Sequence, residues 1–318
     1  MPRRARVQTR PPGCAPAVVY IAGSGRSGST LLERALGEIP GFVNVGELID
    51  LFRRGASRAE RCGCGLPFAD CTFWARVGER AFGGWADPCI ADLHPLQRRV
   101  AQQRYLPRLL VMPLAGPRFR ADVASYGASY ASVYHAIATE AGAGCVVDAS
   151  KWPVQALALY RAGIDVRVIH LVRDVRGVAY SLTKRAKRPT ATAAKWVSYQ
   201  SQAGLLRRCG LPFTLVRYED FVSQPRLTVE TALAELGLSY HPAHLEHLGD
   251  GQVTLSPSHG IHGNPSRFRS GEITLRTDEV WRERMSRRSR ILVTAIGLPL
   301  LLCYGWRPRR GTRERGRT

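Results

Sequence analysis

Apolar positions along this chain follow two periods, and the switch between them marks the elements. Residues 17–23, "AVVYIAG", form a continuous apolar run that ends in glycine, as a strand buried on both faces should. After Thr30, the residues Leu31, Leu32, Ala35, Leu36 and Ile39 recur at helical spacing until Pro40-Gly41 stops them. The segments "GCVVDAS" (144–150), "VRVIHLVRD" (166–174) and "PFTLVRYED" (212–220) read as three more buried strands. A helix is expected from about Arg176 and another over Thr190 to Cys209. Strands alternating with helices predict an α/β fold: a three-layer sandwich with a central parallel sheet.

Between Leu51 and Ala143 this alternation lapses. Helical patches such as "LQRRVAQQRYLPRLLVM" (96–112) occur without a clear strand, so residues 51–143 are expected to be a mostly helical insertion. Its position suggests the wall or lid of an acceptor pocket. No repeat or low-complexity linker divides the chain, so residues 14–306 are read as one domain between two tails, 1–13 and 307–318. The apolar run 291–306 is shorter than the ~20 residues that span a bilayer and is interrupted by Pro299. A buried C-terminal helix is expected there.

Charge changes the picture next. The formal net charge is +21 over 318 residues. Much of it lies in the tails: Arg3, Arg4, Arg6 and Arg10 at one end, and six arginines from Arg307 to Arg317 against Glu314 at the other. These tails are expected to be solvated and disordered, with at most weak peripheral contact with an anionic membrane. The remainder is still basic, which suits an anionic ligand. Nucleic acid is not the expected partner, because no stripe of interleaved aromatic and basic residues is present. The basic start runs into Pro11 and Pro12 without a secretory pattern, so a cytoplasmic location is expected.

Cys62, Cys64 and Cys71 cluster, but Cys-x-Cys with one later cysteine departs from paired CxxC spacing. Structural thiols are expected ahead of a zinc or redox site. His259 and His262 lack a third ligand nearby in sequence, and no metal is expected.

The candidate chemistry begins at Gly23-Ser24-Gly25-Arg26-Ser27-Gly28-Ser29-Thr30, which almost spells a phosphate-binding loop. Backbone N–H groups at the start of a helix attract anions, the hydroxyls of Ser27, Ser29 and Thr30 add donors, and Arg26 adds a forked cation. Ser29 stands where triphosphate-hydrolysing loops carry lysine. A donor nucleotide without a triphosphate and without magnesium is therefore the better fit. Arg173 ends a predicted strand, where α/β folds bind ligands, and Ser181 follows within the next helix. Together they suit a second phosphate. The cluster Lys184, Arg185, Lys187 and Arg188 reads as a solvated basic turn.

At this point the segments carry a resemblance. "GSGRSGSTLLERAL" is similar to the 5′-phosphosulfate loop of sulfotransferases that use 3′-phosphoadenosine-5′-phosphosulfate, and "VIHLVRDVRGVAYSL" resembles their 3′-phosphate segment. "NVGELIDL", "VVDASKWP", "VRYEDFVSQP" and "HGIHGNPSRF" resemble segments of bacterial sulfotransferases and, more distantly, of Golgi and tyrosylprotein enzymes. The resemblance implies a fold related to P-loop kinases and a metal-free transfer of a sulfuryl group to a hydroxyl of a carbohydrate, lipid-linked or other small-molecule acceptor. It implies Glu47 as the base, with Asp50, His259 and His262 as alternatives, and Lys151 on the bridging oxygen, helped by Arg26 and oriented by Asp148. The loop Gly25, Arg26, Ser27, Gly28, Ser29 and Thr30 would hold the 5′-phosphosulfate. Arg173 and Ser181 would hold the 3′-phosphate, with Asn264 and Arg267 closing over the nucleotide. Competing readings are a degenerate P-loop kinase or NTPase and a basic binder of nucleic acid or anionic surfaces.

Overall fold

The first strand shows how the layers arise. In the computed structural model, which describes residues 15–55 and 60–306, β1 (Ala17–Gly23) is buried at every position. Val18, Tyr20 and Ala22 face one apolar cluster, while Ala17, Val19 and Ile21 face the other. A strand with two buried faces must be covered on both, which makes three layers.

The parallel sheet has five strands in the order β2-β3-β1-β4-β5: β2 (Phe42–Asn44), β3 (Cys145–Lys151), β4 (Val166–Val172) and β5 (Phe213–Arg217) flank β1. The short edge strand β2 goes beyond the four expected ones, since three residues are too few to show a period. Helix α1 (Ser29–Gly37) packs on the Val19 face. Within residues 51–143 lie α2 (Thr72–Phe82), α3 (Cys89–Val100), α4 (Leu106–Leu110) and α5 (Pro117–Ala141), so the insertion is helical as expected. It joins the core on the Tyr20 face together with α6 (Pro153–Arg161). Helices α7 (Val175–Thr183) and α8 (Pro189–Arg208) follow β4, and α9 (Tyr218–Ser223) and α10 (Pro225–Glu235) follow β5. A small antiparallel sheet of β6 (Leu248–Gly249), β7 (Gln252–Leu255) and β8 (Gly271–Thr274) comes next, a set of short strands that no sequence pattern announced.

After α11 (Trp281–Arg284) the chain ends its described part in α12 (Arg287–Cys303), which departs from the expected buried helix. Only Val293, Gly297 and Leu301 are buried, a stripe of three residues spaced four apart against α7 and α8, while Ile291, Leu292, Ile296 and Leu302 face outward. The helix is an outer element of the sandwich, so one narrow face suffices to hold it. Among the described residues, no helix is long and apolar enough to cross a membrane. The expected tails 1–13 and 307–318 lie outside the described residues.

The insertion docks through a close approach. At Gly127 in α5, a Cβ would sit 2.1 Å from the Cβ of Ala162, just after α6. Gly127→Leu is expected to cost about 1–3 kcal/mol by overpacking. Gly116→Ser, at a helix start with open space around it, should stay within a few tenths of a kcal/mol of the parent. Equal urea midpoints for the two variants would refute this docking.

Candidate active site

Parallel strands send their C-terminal ends to one edge of the sheet, and the loops leaving β2, β3, β1 and β4 converge there on a cavity of about 610 Å³. Leaving β1, the loop passes through Arg26 at φ 68° and Gly28 at φ 88°, both left-handed. Gly28 starts α1 without a side-chain cap, and the first turn carries no acidic residue. A Cβ at Gly28 would fall 2.4 Å from the Tyr218 ring, so only glycine permits this packing. The start of α1, with Ser29 and Thr30, therefore faces the cavity as an anion-attracting terminus.

The cavity's charge is one-sided. Among the described residues, Arg26, Lys151, Arg173, Arg185, Lys187, Arg188 and Lys195 line it against a single carboxylate, Glu47. Arg185, Lys187 and Arg188 belong to the run read as a solvated turn; they are exposed, yet they form part of the wall because α7 ends beside the loop. Arg26 donates from Nε to Ser181 Oγ at 3.0 Å, and Arg173 donates from Nη1 to the Arg26 carbonyl at 3.0 Å. The two segments expected to bind phosphates are thus one cluster. Burial, followed by the nearby Arg185 and Arg173 charges, pulls the Arg26 pKa down. Arg173 also lies over the Tyr218 ring and pairs with Asp278 at 3.2 Å. Trp152 and Tyr199, edge to face, supply the aromatic part of the lining.

Glu47, three residues past β2, and Lys151, at the end of the adjacent β3, meet at 2.5 Å. Lys151 takes a left-handed φ of 71°, a strain that a surface lysine has no reason to hold. Its Nζ also donates to the Ala149 carbonyl at 3.0 Å. Asp148 does not orient Lys151, contrary to expectation. Fully buried, it accepts from Tyr134 Oη at 2.6 Å and from the Ser150 backbone N–H at 2.9 Å, and so ties the end of β3 to α5. Burial raises its pKa to about 6.

Beneath Glu47 lies Glu33 of α1, buried, whose Oε1 accepts from Gly46 N–H at 2.5 Å and from Asn44 Nδ2 at 3.3 Å. Gly46 has φ 81°, and a Cβ there would fall 2.0 Å from the Ile261 carbonyl oxygen. Glu47 N–H donates to that same carbonyl at 2.9 Å. Arg34 of α1, also buried, donates to the carbonyls of Ser256 (2.8 Å), Ser266 (3.2 Å) and Arg269. Helix α1 therefore holds the late loop, residues 256–269, as well as the loop that leaves β1. Nothing in "LLERAL" marked Glu33 and Arg34 beyond two charges on an otherwise apolar face.

Other expected site residues fall elsewhere. Gly25, Ser29, Thr30 and Asn264 line the cavity, whereas Ser27 Oγ is buried under the loop with no hydrogen-bond partner. Arg267 turns away to pair with Glu60 at 2.9 Å and lies over Phe268. His262 is buried beside the same Glu60, with 3.3 Å from Nδ1 to Oε1, and Asp50 pairs with Arg53 at 2.6 Å. His259 sits among the cysteines. None of these lines the cavity, so among the described residues Glu47 is the one candidate base in it. Among the described residues, none of the insertion lines it either. The insertion instead supports the site from behind, through Tyr134 and through Tyr130, which donates to the Leu48 carbonyl.

A profile described as "Sulfotransferase family" matches residues 16–242, so the chain belongs to the sulfotransferase family. No curated protein matches the chain. Among solved structures, the sulfotransferase domain of the Synechococcus PCC 7002 olefin synthase is 19% identical with a TM-score of 0.48, over 92% of this chain and 98% of that one. The sulfotransferase domain of the curacin biosynthetic pathway is 17% identical at 0.47, over 90% and 97%. A Mycobacterium avium sulfotransferase is 12% identical at 0.47, over 93% and 78%.

Burial raises the Glu33 pKa from an ordinary 4.5 to about 7. The folded protein then keeps a proton that the unfolded chain releases, so stability falls as pH rises from about 4.5 to about 7. Glu33→Gln retains an acceptor for Gly46 N–H and loses this titration. Its urea-derived stability should decline less than the parent's between about pH 5 and about pH 8, by up to about 3 kcal/mol. Parallel pH profiles would contradict the assignment.

Proposed function

We propose that this chain transfers a sulfuryl group from 3′-phosphoadenosine-5′-phosphosulfate to a hydroxyl of a small-molecule or glycan acceptor. The observation that carries the reading is the charge of the cavity: seven cations face one carboxylate, and that carboxylate is already paired with Lys151. Such a site suits an anion with several phosphate-like groups. The volume, about 610 Å³, suits a nucleotide-sized ligand. Among the described residues, Glu47 is the only acid in the lining, which offers little to a magnesium-bound triphosphate. With the family established, the degenerate kinase reading loses its ground.

In this reading the α1 N-terminus with Gly25, Gly28, Ser29 and Thr30 holds the 5′-phosphosulfate. Arg26, Arg173 and Ser181 hold the 3′-phosphate, an assignment supported by their mutual hydrogen bonds. Asp278 is the counterion that the phosphate would replace on Arg173. Lys151 neutralises charge on the oxygen between sulfur and the 5′-phosphate as that bond breaks. Glu47 accepts the hydroxyl proton as the acceptor oxygen bonds to sulfur. Their 2.5 Å pair holds the two side chains aimed at each other before the donor arrives. Asn264, with the cavity-lining Gly263 and Ser266, forms the late-loop wall over the site. Arg267 has no part in donor binding, given its pairing with Glu60.

Calorimetric titration without magnesium tests the donor. The parent should bind 3′-phosphoadenosine-5′-phosphate, and Arg26→Ala and Arg173→Ala should each lose on the order of 1.5–3 kcal/mol. Arg267→Ala should bind as the parent does. Binding of ATP in preference, or equal binding by all variants, would overturn the reading. Glu47→Gln should leave this affinity in place and lower turnover by about 10²–10⁴ once an acceptor is in hand. Unchanged turnover would remove Glu47 from the role of base.

A further inference from the structure

We propose that Cys62, Cys64, Cys71 and His259 form a structural zinc site that staples the start of the helical insertion to the late loop. The four ligand atoms all lie within 4.8 Å of one another. Cys71 Sγ stands 3.6 Å from Cys62 Sγ and 3.8 Å from Cys64 Sγ. His259 Nδ1 stands 3.5 Å from Cys62 Sγ and 3.4 Å from Cys71 Sγ. A zinc ion with Zn–S of about 2.3 Å and Zn–N of about 2.0–2.1 Å at tetrahedral angles requires edges of about 3.8 Å between sulfurs and about 3.5 Å from sulfur to nitrogen. Four of the six edges match these values, and the other two, Cys62–Cys64 and Cys64–His259, are no longer than 4.8 Å. A disulfide, at about 2.05 Å, matches none.

The surroundings are built for the cluster. Cys62 and Cys71 are buried, and Cys64 and His259 are half-buried. The His259 ring stacks on Phe73 at 4.6 Å and an interplanar angle of 7°, and its carbonyl accepts from Trp74 Nε1 at 2.8 Å. The two aromatic residues lie two and three positions after Cys71, the N-cap of α2, so the start of α2 supplies a ligand and fixes another. The two loops touch at Gly63, where a Cβ would lie 2.5 Å from the Ser258 carbonyl oxygen and where N–H donates to Gly260 O at 2.9 Å. Three thiolates and an imidazole are soft ligands that select zinc over magnesium or calcium. Four protein ligands leave no open position, so the ion is structural. Its effect reaches the active site through two residues: Ile261 receives Glu47 N–H, and a Cβ on Gly263 would lie 3.0 Å from Glu47 Oε1. The proposal is independent of the donor's identity.

The test is metal analysis of the full-length chain expressed with zinc and purified without chelator. About one zinc per chain is expected, falling roughly ten-fold or more in Cys62→Ser and His259→Ala and unchanged in Cys89→Ser. Because the ligand variants could fail to fold, cobalt(II) replaces zinc in the parent as a second measurement. Thiolate-to-cobalt charge transfer and the strong visible bands of a tetrahedral site support the proposal. A folded parent that carries no zinc and shows no thiolate bands with cobalt overturns it. So does a mass spectrum showing these thiols joined as a disulfide in the purified protein.

Discussion

The 2.5 Å contact between Glu47 and Lys151 is the constraint from which the rest of the site follows. Two mostly buried opposite charges give up hydration, and their attraction compensates only when geometry is enforced from both sides. On one side β3 delivers Lys151 in a left-handed conformation, with the preceding residues pinned by Asp148 and Tyr134. On the other, Glu33 grips Gly46 from below and Ile261 grips Glu47 from above. Remove any of these and the pair could relax toward solvent, where it would be worth little. The adjacency of β2 and β3 is what makes the meeting possible at all, so even the shortest strand of the sheet has a chemical consequence.

Across the cavity the arrangement is the opposite. Burial first, and then the neighbouring Arg185 and Arg173 charges, pull the Arg26 pKa down, while Asp278 opposes them. Protein folds rarely gather like charges in a partly buried place without a reason, since the repulsion and desolvation both oppose folding. The hydrogen bond from Arg26 to Ser181 and that from Arg173 to the Arg26 carbonyl hold the guanidinium groups in register despite the repulsion. A neutral or cationic ligand would leave that cost uncompensated. A polyanion removes it, which is why the charge pattern argues for the ligand class more strongly than shape does.

What the sequence made legible follows from chain proximity. The β1-loop-α1 unit and the β4-loop-α7 unit each lie within about twenty residues, so their glycines, hydroxyls and arginines read directly as anion sites. The sheet was legible for the same reason, apart from the three-residue β2. Illegible were contacts made across long separations by residues of ordinary type. Glu33 and Arg34 look like surface charges on an amphipathic helix, yet both are buried because the late loop, more than 200 residues on, folds over them. Arg267 looked like a nucleotide ligand by composition, but Glu60 lay in a segment whose proximity no local pattern shows. The insertion looked like a pocket wall by position, and its role as a brace depends on tyrosine hydroxyls reaching Leu48 and Asp148.

The late loop also bears on how far the family assignment extends. The family match ends at residue 242, whereas the segment that presses on Glu47 runs from Ser256 to Arg269. That segment has little regular structure of its own: a single 3-10 turn, Pro265–Phe268, between β7 and β8. Its position is therefore set by what grips it, namely Arg34 and Glu38 from α1, Glu60 through His262 and Arg267, and the Cys62-Cys64-Cys71 cluster through His259. The first of these anchors lies inside the phosphate-loop unit and the other two at the threshold of the insertion. A change in the insertion's opening residues would thus be felt at Glu47 through the late loop, without any insertion residue entering the cavity.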